Sequence, residues 1–339
     1  MKVRASRVTL LAALAAVLAV SVVLAVGCGS TPIAARDVLH AIAAHVLDGV
    51  PASATNDAIV WEIRLPRVLL GALVGAALAL AGAVLQAATA NRLADPHLLG
   101  VSAGASVGAV AATLWLGAAW GALTLPGCAF AGALAATALV IACGTHGTRH
   151  RQFDAQRLLL AGVAISFVLM ALANLLLYLG DQRSATSVLF WMLGGLGLAR
   201  WSLLGVPAAL VGIGALLLLG RRRELDALMS GDVAAVTLGV NVARLRRELF
   251  VVCSLLTAGM VAVSGAIGFV GLVAPHVARR FAGASHARML PVCALVGAIM
   301  LIWADVIART LIAPDDLPIG VVTGLFGGVF FVWLVRGAR

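Results

Sequence analysis

The chain has 339 residues, 62% of them hydrophobic and only 11% charged, whereas a soluble domain carries roughly 25% charged residues. Such a composition describes an all-α polytopic membrane protein with room for about ten spans of roughly 20 residues and none for a large soluble domain. The net charge of +10 does not call for nucleic acid, because the basic residues form short clusters between apolar runs, the pattern of positive-inside sorting.

In chain order, the first span is predicted from about Val8 to Val26. Ala25-Val26-Gly27-Cys28 hints at a lipoprotein signal, but the apolar stretch is longer than a signal core and reads as a span. Residues 27–63 form an outer segment with a short amphipathic helix over Ala34 to Leu47. The second span enters at Arg64-Leu65-Pro66-Arg67 and continues without a charge to Ala90; Gly71, Gly75 and Gly82 allow another helix to approach closely. Asp95-Pro96 then interrupts the chain on the inner side.

The third span covers about Leu98 to Leu116, the fourth Leu125 to Cys143 and the fifth Arg157 to Leu179. An outer segment with Asp181, Arg183 and a short helix near Ser184 to Met192 leads to the sixth, Trp201 to Leu219. Residues 221–248, the longest charged stretch, read as two short helices broken at Ser230-Gly231. The seventh span is Leu249 to Ala266, the eighth a shorter crossing from Ile267 to Arg280, and the ninth Leu290 to Ile307; the tenth begins after Pro318. With Lys2, Arg4 and Arg7 inside, alternating spans place both termini in the cytoplasm.

Several chemistries are excluded. The sole lysine is Lys2, so no Walker A loop exists, and ATP with its Mg is not bound by this chain. No HExxH is present, and His146 and His150 sit in a basic, solvated loop, so no metal site is expected. The five cysteines form no CxxC and read as small hydrophobes. Without a paired catalytic set the chain is not read as an enzyme.

What remains points to transport. Ser166, Met170, Asn174 and Tyr178 recur every fourth residue along the fifth span. One interhelical hydrogen bond from Asn174 accounts for this stripe as well as a face lining an apolar cavity does. Arg64, Arg67 and Arg309 oppose the inward bias of the basic residues; headgroup snorkelling explains any one of them, and three on one side favour an acidic partner. Asp305, one turn before Arg309, is a candidate intrahelical partner. The inner stretch is too apolar at Leu225, Leu228, Met229, Val233, Val236 and Leu238 for a solvated loop, so a docking partner or a membrane surface is expected there.

Arg64-Leu65-Pro66-Arg67, Asn91 to Gly100, Arg157 to Gly162, Gly239-Val240, Gly268 to His276 and Leu317 to Gly324 together resemble the FecCD family of permease subunits in ABC importers for ferric siderophores, haem and vitamin B12. The resemblance covers nearly the whole chain after residue 36. It implies a single permease domain, residues 1–339, with ten spans and the type II ABC importer permease fold. The implied assembly is a homodimer in the bacterial inner membrane, with two ATP-binding cassette ATPase subunits inside and one periplasmic substrate-binding protein outside. It assigns Arg64, Arg67 and Arg309 to binding-protein docking and Asp154, Ala155 and Gln156 to the cytoplasmic gate. The pathway receives Ser166, Met170, Asn174, Tyr178 and Arg183, and ATPase coupling Leu225, Met229, Gly231, Val233, Leu238 and Gly239. Haem or another iron chelate is the expected cargo, with vitamin B12 the alternative in the same family. An ion-coupled secondary transporter is the rival of another class; it would need a titratable or carbonyl-lined site at mid-membrane, and the spans offer little beyond Asp305.

Overall fold

A computed structural model describes residues 7–47, 53–145 and 155–337; within these ranges a few side chains, among them those of Ala155, Gln156 and Arg183, are outside the described set. Among the described residues every regular element is helical. The helices are α1 (Arg7–Gly27), α2 (Ala35–Val46), α3 (Ala54–Ala58), α4 (Leu65–Ala88), α5 (Val101–Ala111), α6 (Thr124–Thr145), α7 (Ala155–Leu179) and α8 (Gln182–Met192). They continue as α9 (Trp201–Gly220), α10 (Arg222–Leu228), α11 (Asp232–Thr237), α12 (Val242–Ser264), α13 (Val270–Ala282), α14 (His286–Thr310) and α15 (Ile319–Gly337). Among the described residues seven helical stretches are long and apolar enough to cross a membrane, and Val101–Leu116 and Ile319–Leu334 are shorter apolar ones. With α13 these make the ten expected segments, but not ten equal spans. At 13 residues α13 is about 20 Å long, well short of the hydrocarbon thickness.

α4 is the central post. It packs against α14, α12, α13 and α9 and is buried along nearly its whole length. Glycine makes this possible: a methyl on Gly75 would overlap the Gly297 carbonyl of α14, and one on Gly82 the Gly271 carbonyl of α13. Tight van der Waals packing of this kind holds membrane helices together where lipid leaves no hydrophobic driving force. Gly104 and Gly132 let α5 and α6 touch in the same way.

Three boundaries differ from the sequence expectation. Taking the Arg64 end as outer, the second span does not start at Arg64: α3 and a π-helical turn (Ile59–Arg64) extend it outward, giving a 34-residue stretch from Thr55. On the inner side α12 begins at Val242, capped by Asn241 Oδ1 accepting from Arg244 N at 3.0 Å, so Arg244 to Glu248 belong to a span helix and not to a loop. Asp95-Pro96 does not lie at the inner surface either. Pro96 lies against Gly271, whose carbonyl abuts Gly82, six residues above the end of α4 and thus about 9 Å inside it. The segment after α4 therefore turns back into the bundle, and α5 starts part-way across. Irregular backbone at this depth is tolerated because protein, not lipid, surrounds it.

Candidate functional site

At the outer end, Arg64 from the π-helical turn, Arg67 from α4 and Arg309 from α14 cluster beside the chain leaving α1. Arg64 donates through Nη1 to the carbonyls of Val26 (3.1 Å) and Gly27 (3.2 Å) and through Nη2 to the Thr31 carbonyl (2.7 Å) and Oγ1 (3.1 Å). Arg309 donates through Nη1 to the Cys28 carbonyl (2.9 Å) and through Nη2 to that of Ala25 (3.0 Å). Its Nε lies 2.9 Å from Asp305 Oδ2, the intrahelical pair expected from the spacing. Both arginines are only 6% exposed. They satisfy the carbonyls that a helix C-terminus leaves open and tie residues 25–31 to the bundle.

This corrects the assignment of Arg64 and Arg309 as direct contacts for an acidic partner, because in this conformation their guanidiniums face inward and are occupied. Arg67 is the half-buried member. Its Nε donates to Asp305 Oδ1 at 3.0 Å and its Nη1 to Asp316 Oδ2 at 2.6 Å, on the loop between α14 and α15. Asp316 is half exposed and Asp305 is buried.

In the middle of the chain, α7 presents a broad apolar surface. Phe167, Val168, Leu175 and Tyr178 are exposed, Tyr178 at 85%, and Met170 and Asn174 share that exposure. Ser166 does not. Its hydroxyl donates to Gly162 O at 2.7 Å, and it packs beside Gly100 at the start of α5. The reason is geometric: each fourth residue advances 400°, so the stripe drifts by about 40° per step and Ser166 and Tyr178 end roughly 120° apart. Arg183 opens α8, and Ala155 and Gln156 open α7, with side chains outside the described set; Asp154 lies outside the described residues altogether.

α15 carries a second exposed apolar face at Val321, Leu325, Phe326, Val329 and Trp333. Beside it α13, α14 and α15 together form an apolar crevice of about 350 Å³ lined by Phe269, Val273, Met300, Trp303, Phe326 and Phe330.

Two polar seams inside the bundle escaped the sequence reading. Gln86 Nε2 donates to the Gly271 carbonyl at 3.2 Å, and Arg279 Nη2 donates to Gln86 Oε1 at 2.7 Å, joining α4 to α13. His97 Nε2 lies 2.7 Å from the Ile267 carbonyl, and Nδ1 is hydrogen-bonded to the Ser102 hydroxyl. A carbonyl only accepts, so Nε2 carries the proton and Nδ1 accepts from Ser102. The lone amide in the uncharged run to Ala90 was the available signal for the first seam. No signal marked the second, because its partner is a backbone carbonyl 170 residues away.

At the inner end, α10 and α11 project as a pair, separated at Gly231, whose φ of +96° suits a residue without a Cβ. Asp226 accepts from His286 N at 2.8 Å and from Ser285 Oγ at 3.2 Å, fixing α10 to the start of α14. Arg246 on α12 grips Asp232 of α11 with two hydrogen bonds of 2.7 and 2.8 Å and donates to the last carbonyl of α4, Ala88, at 2.8 Å. Arg221 joins Glu224 (2.8 Å) and Glu248 (2.6 Å), and its hydrogen bond with Glu224 raises the guanidinium pKa.

The pair leaves an apolar surface uncovered: Met229, Val233, Val236 and Leu238 are exposed, Val233 at 81%. Leu225 is wholly buried, so its expected partner contact is corrected to a core role. Gly239, with φ +82°, shapes the turn into α12.

A helical bundle with broken spans, two exposed apolar helix faces and a clamped inner helix pair has the architecture of a membrane permease subunit. The FecCD transport family matches residues 14–337. The hemin transport permease HmuU of Yersinia pestis is 41% identical over 301 residues, covering 85% of this chain and 86% of that protein. The cobalamin import permease BtuC of Halobacterium salinarum is 41% identical over 304 residues, covering 87% and 78%. The uncharacterized ABC transporter permease YvrB of Bacillus subtilis is 42% identical over 333 residues, covering 95% and 92%. A solved ABC transporter described as of metal-chelate type, in an inward-facing conformation, superposes with a TM-score of 0.83 at 29% identity, covering 96% and 98%.

The chain belongs to the FecCD transport family, the permease subunits of ABC importers, which work with separate ATPase subunits and substrate-binding proteins. Its fold is that of a type II ABC importer permease. Membership sets aside the ion-coupled secondary transporter.

Proposed function

We propose that this chain imports haem or a related iron chelate across the bacterial inner membrane as a homodimer. Two ATPase subunits sit inside, holding ATP and Mg, and one periplasmic binding protein docks outside; both termini are cytoplasmic. The observation that carries the ATP-driven reading is the inner helix pair. It exposes Met229, Val233, Val236 and Leu238 while Asp226 and Arg246 fix it to α14, α12 and α4. A partner pushing on that apolar surface moves three bundle helices and not a free loop.

The pathway runs between the exposed faces of α7 and α15 of the two copies, with Met170, Asn174 and Tyr178 toward it and Arg183 at its outer mouth. Asp154, Ala155 and Gln156 form the inner gate. A broad apolar surface with few polar groups suits a large planar cargo that must not stay bound. Docking outside centres on Arg67, held in place by Asp305, with Arg64 and Arg309 keeping the surrounding backbone in position.

The hemin transport relative supports haem, and the cobalamin import relative, at the same 41% identity, supports vitamin B12 as the second reading. The deciding experiment is ATPase stimulation of the complex, reconstituted in nanodiscs, by its binding protein loaded with hemin, a ferric siderophore or cobalamin. Stimulation by hemin or the siderophore alone is the expected result. Stimulation by cobalamin alone replaces the iron-chelate reading.

A further inference from the structure

Arg67 is held from two sides of different character. Asp305, buried in α14, takes Nε at 3.0 Å and is also paired with Arg309, so that side is fixed within the bundle. Asp316, with its side chain 51% exposed, takes Nη1 at 2.6 Å from the solvent side. It stands two residues before Pro318 on the short connection from Thr310 to Ile319. That connection is otherwise attached by backbone bonds, Leu317 N to Ala308 O at 2.9 Å and Ile319 N to Gly194 O at 2.9 Å, and by Leu317, which packs against the core. Two guanidiniums, those of Arg67 and Arg309, thus share two carboxylates in this cluster, and the exposed carboxylate occupies the place where one arriving from outside would bind.

We propose that Asp316 is a built-in stand-in for a carboxylate of the substrate-binding protein, and that docking displaces it from Arg67 and frees the connection that leads into α15. The inference rests on the docking reading of Arg67 given above and adds a direct path from docking to a pathway helix. Exchange is feasible because an exposed ion pair is held weakly, whereas Asp305 keeps Arg67 in place during the exchange. When Asp316 leaves, the connection keeps its backbone attachments and the packing of Leu317 against the core, and α15, the next element in the chain, forms one wall of the apolar crevice.

The test measures binding of the unliganded cognate binding protein to the permease–ATPase complex in nanodiscs, for the wild type and for Asp316→Asn, Asp315→Asn and Arg67→Ala. Asp315 is an exposed neighbour, so its variant removes the same charge without touching the pair. Asp316→Asn should tighten binding about fivefold, the scale of one exposed ion pair, with Asp315→Asn within about twofold of wild type. Arg67→Ala should weaken binding. In the unmutated complex, amides of residues 311–318 should exchange faster once the binding protein is bound. If Arg67→Ala weakens docking but Asp316→Asn behaves like Asp315→Asn, or if 311–318 is protected on docking, the stand-in is wrong while docking at Arg67 holds. If Arg67→Ala docks normally, the docking reading itself falls.

Discussion

Asp226 Oδ1 on α10 lies 2.8 Å from the backbone nitrogen and 2.6 Å from the ring Nδ1 of His286, so one carboxylate caps the first turn of α14 with a side chain from another helix. The residue before that helix, Ser285, supplies no side-chain cap of its own. A helix that ends outside at the arginine cluster is therefore anchored inside by the element proposed to meet the ATPase.

Replacing Asp226 with Ala should cut transport by about tenfold or more and leave ATPase assembly intact. The lost cap costs about 1 kcal/mol, too little to unfold the bundle but enough to loosen α10 from α14. Transport and basal ATPase measured on the same proteoliposomes check this; normal transport would remove Asp226 from the coupling path.

Val233→Glu and Val236→Glu should each abolish co-purification with the ATPase while leaving the melting temperature in detergent within a few degrees, because both side chains are exposed. Leu225→Glu should instead prevent folding, since an unpaired carboxylate at a wholly buried site costs several kcal/mol. Fluorescence-detected size exclusion separates the two behaviours. A Gly231→Trp variant would be ambiguous, as φ +96° strains any side chain.

Arg64→Ala should lower thermal stability because four hydrogen bonds to the Val26, Gly27 and Thr31 acceptors are lost together, at about 3 kcal/mol or more. Arg67→Glu should abolish binding-protein docking with a far smaller change in melting temperature. Paired thermal melts and docking measurements on the two variants decide it, and equal melts with equal docking loss would restore the reading in which both arginines face the partner.

His97→Ala should leave the protein folded and inserted but reduce transport, because it releases the link between Ile267, just before α13, and the start of α5. Cysteine cross-linking between the segments around residues 97 and 267 reports the loosening. An unchanged cross-linking rate would make the histidine dispensable.

Most span positions were legible because uncharged runs of about 20 residues have few other uses. The Ser230-Gly231 break was legible as well, because a glycine between two short amphipathic stretches marks a turn. The end of α4 was not. Asp95-Pro96 correctly signalled a break, but whether the chain then stays at the surface or re-enters depends on Pro96 meeting Gly271, a contact between residues 175 positions apart. The arginines at 64, 67 and 309 show the same limit. Their position at the outer end follows from charge sorting; which of them is occupied by the carbonyls of residues 25–31 depends on how the chain leaves α1. In the fifth span the one-in-four spacing identified an exposed face at Met170, Asn174 and Tyr178 and over-extended it to Ser166, where helical drift had already turned the side chain inward.

The central claim is that this subunit moves its cargo only when a separate ATPase acts on the surface around Val233. Uptake of hemin into proteoliposomes containing the permease, its binding protein and the ATPase, with and without internal or external ATP on the ATPase side and with Val233→Glu, tests it most directly. The expected result is uptake that requires ATP and falls to background with Val233→Glu. Uptake that continues without ATP, or that Val233→Glu leaves at the wild-type rate, would contradict it.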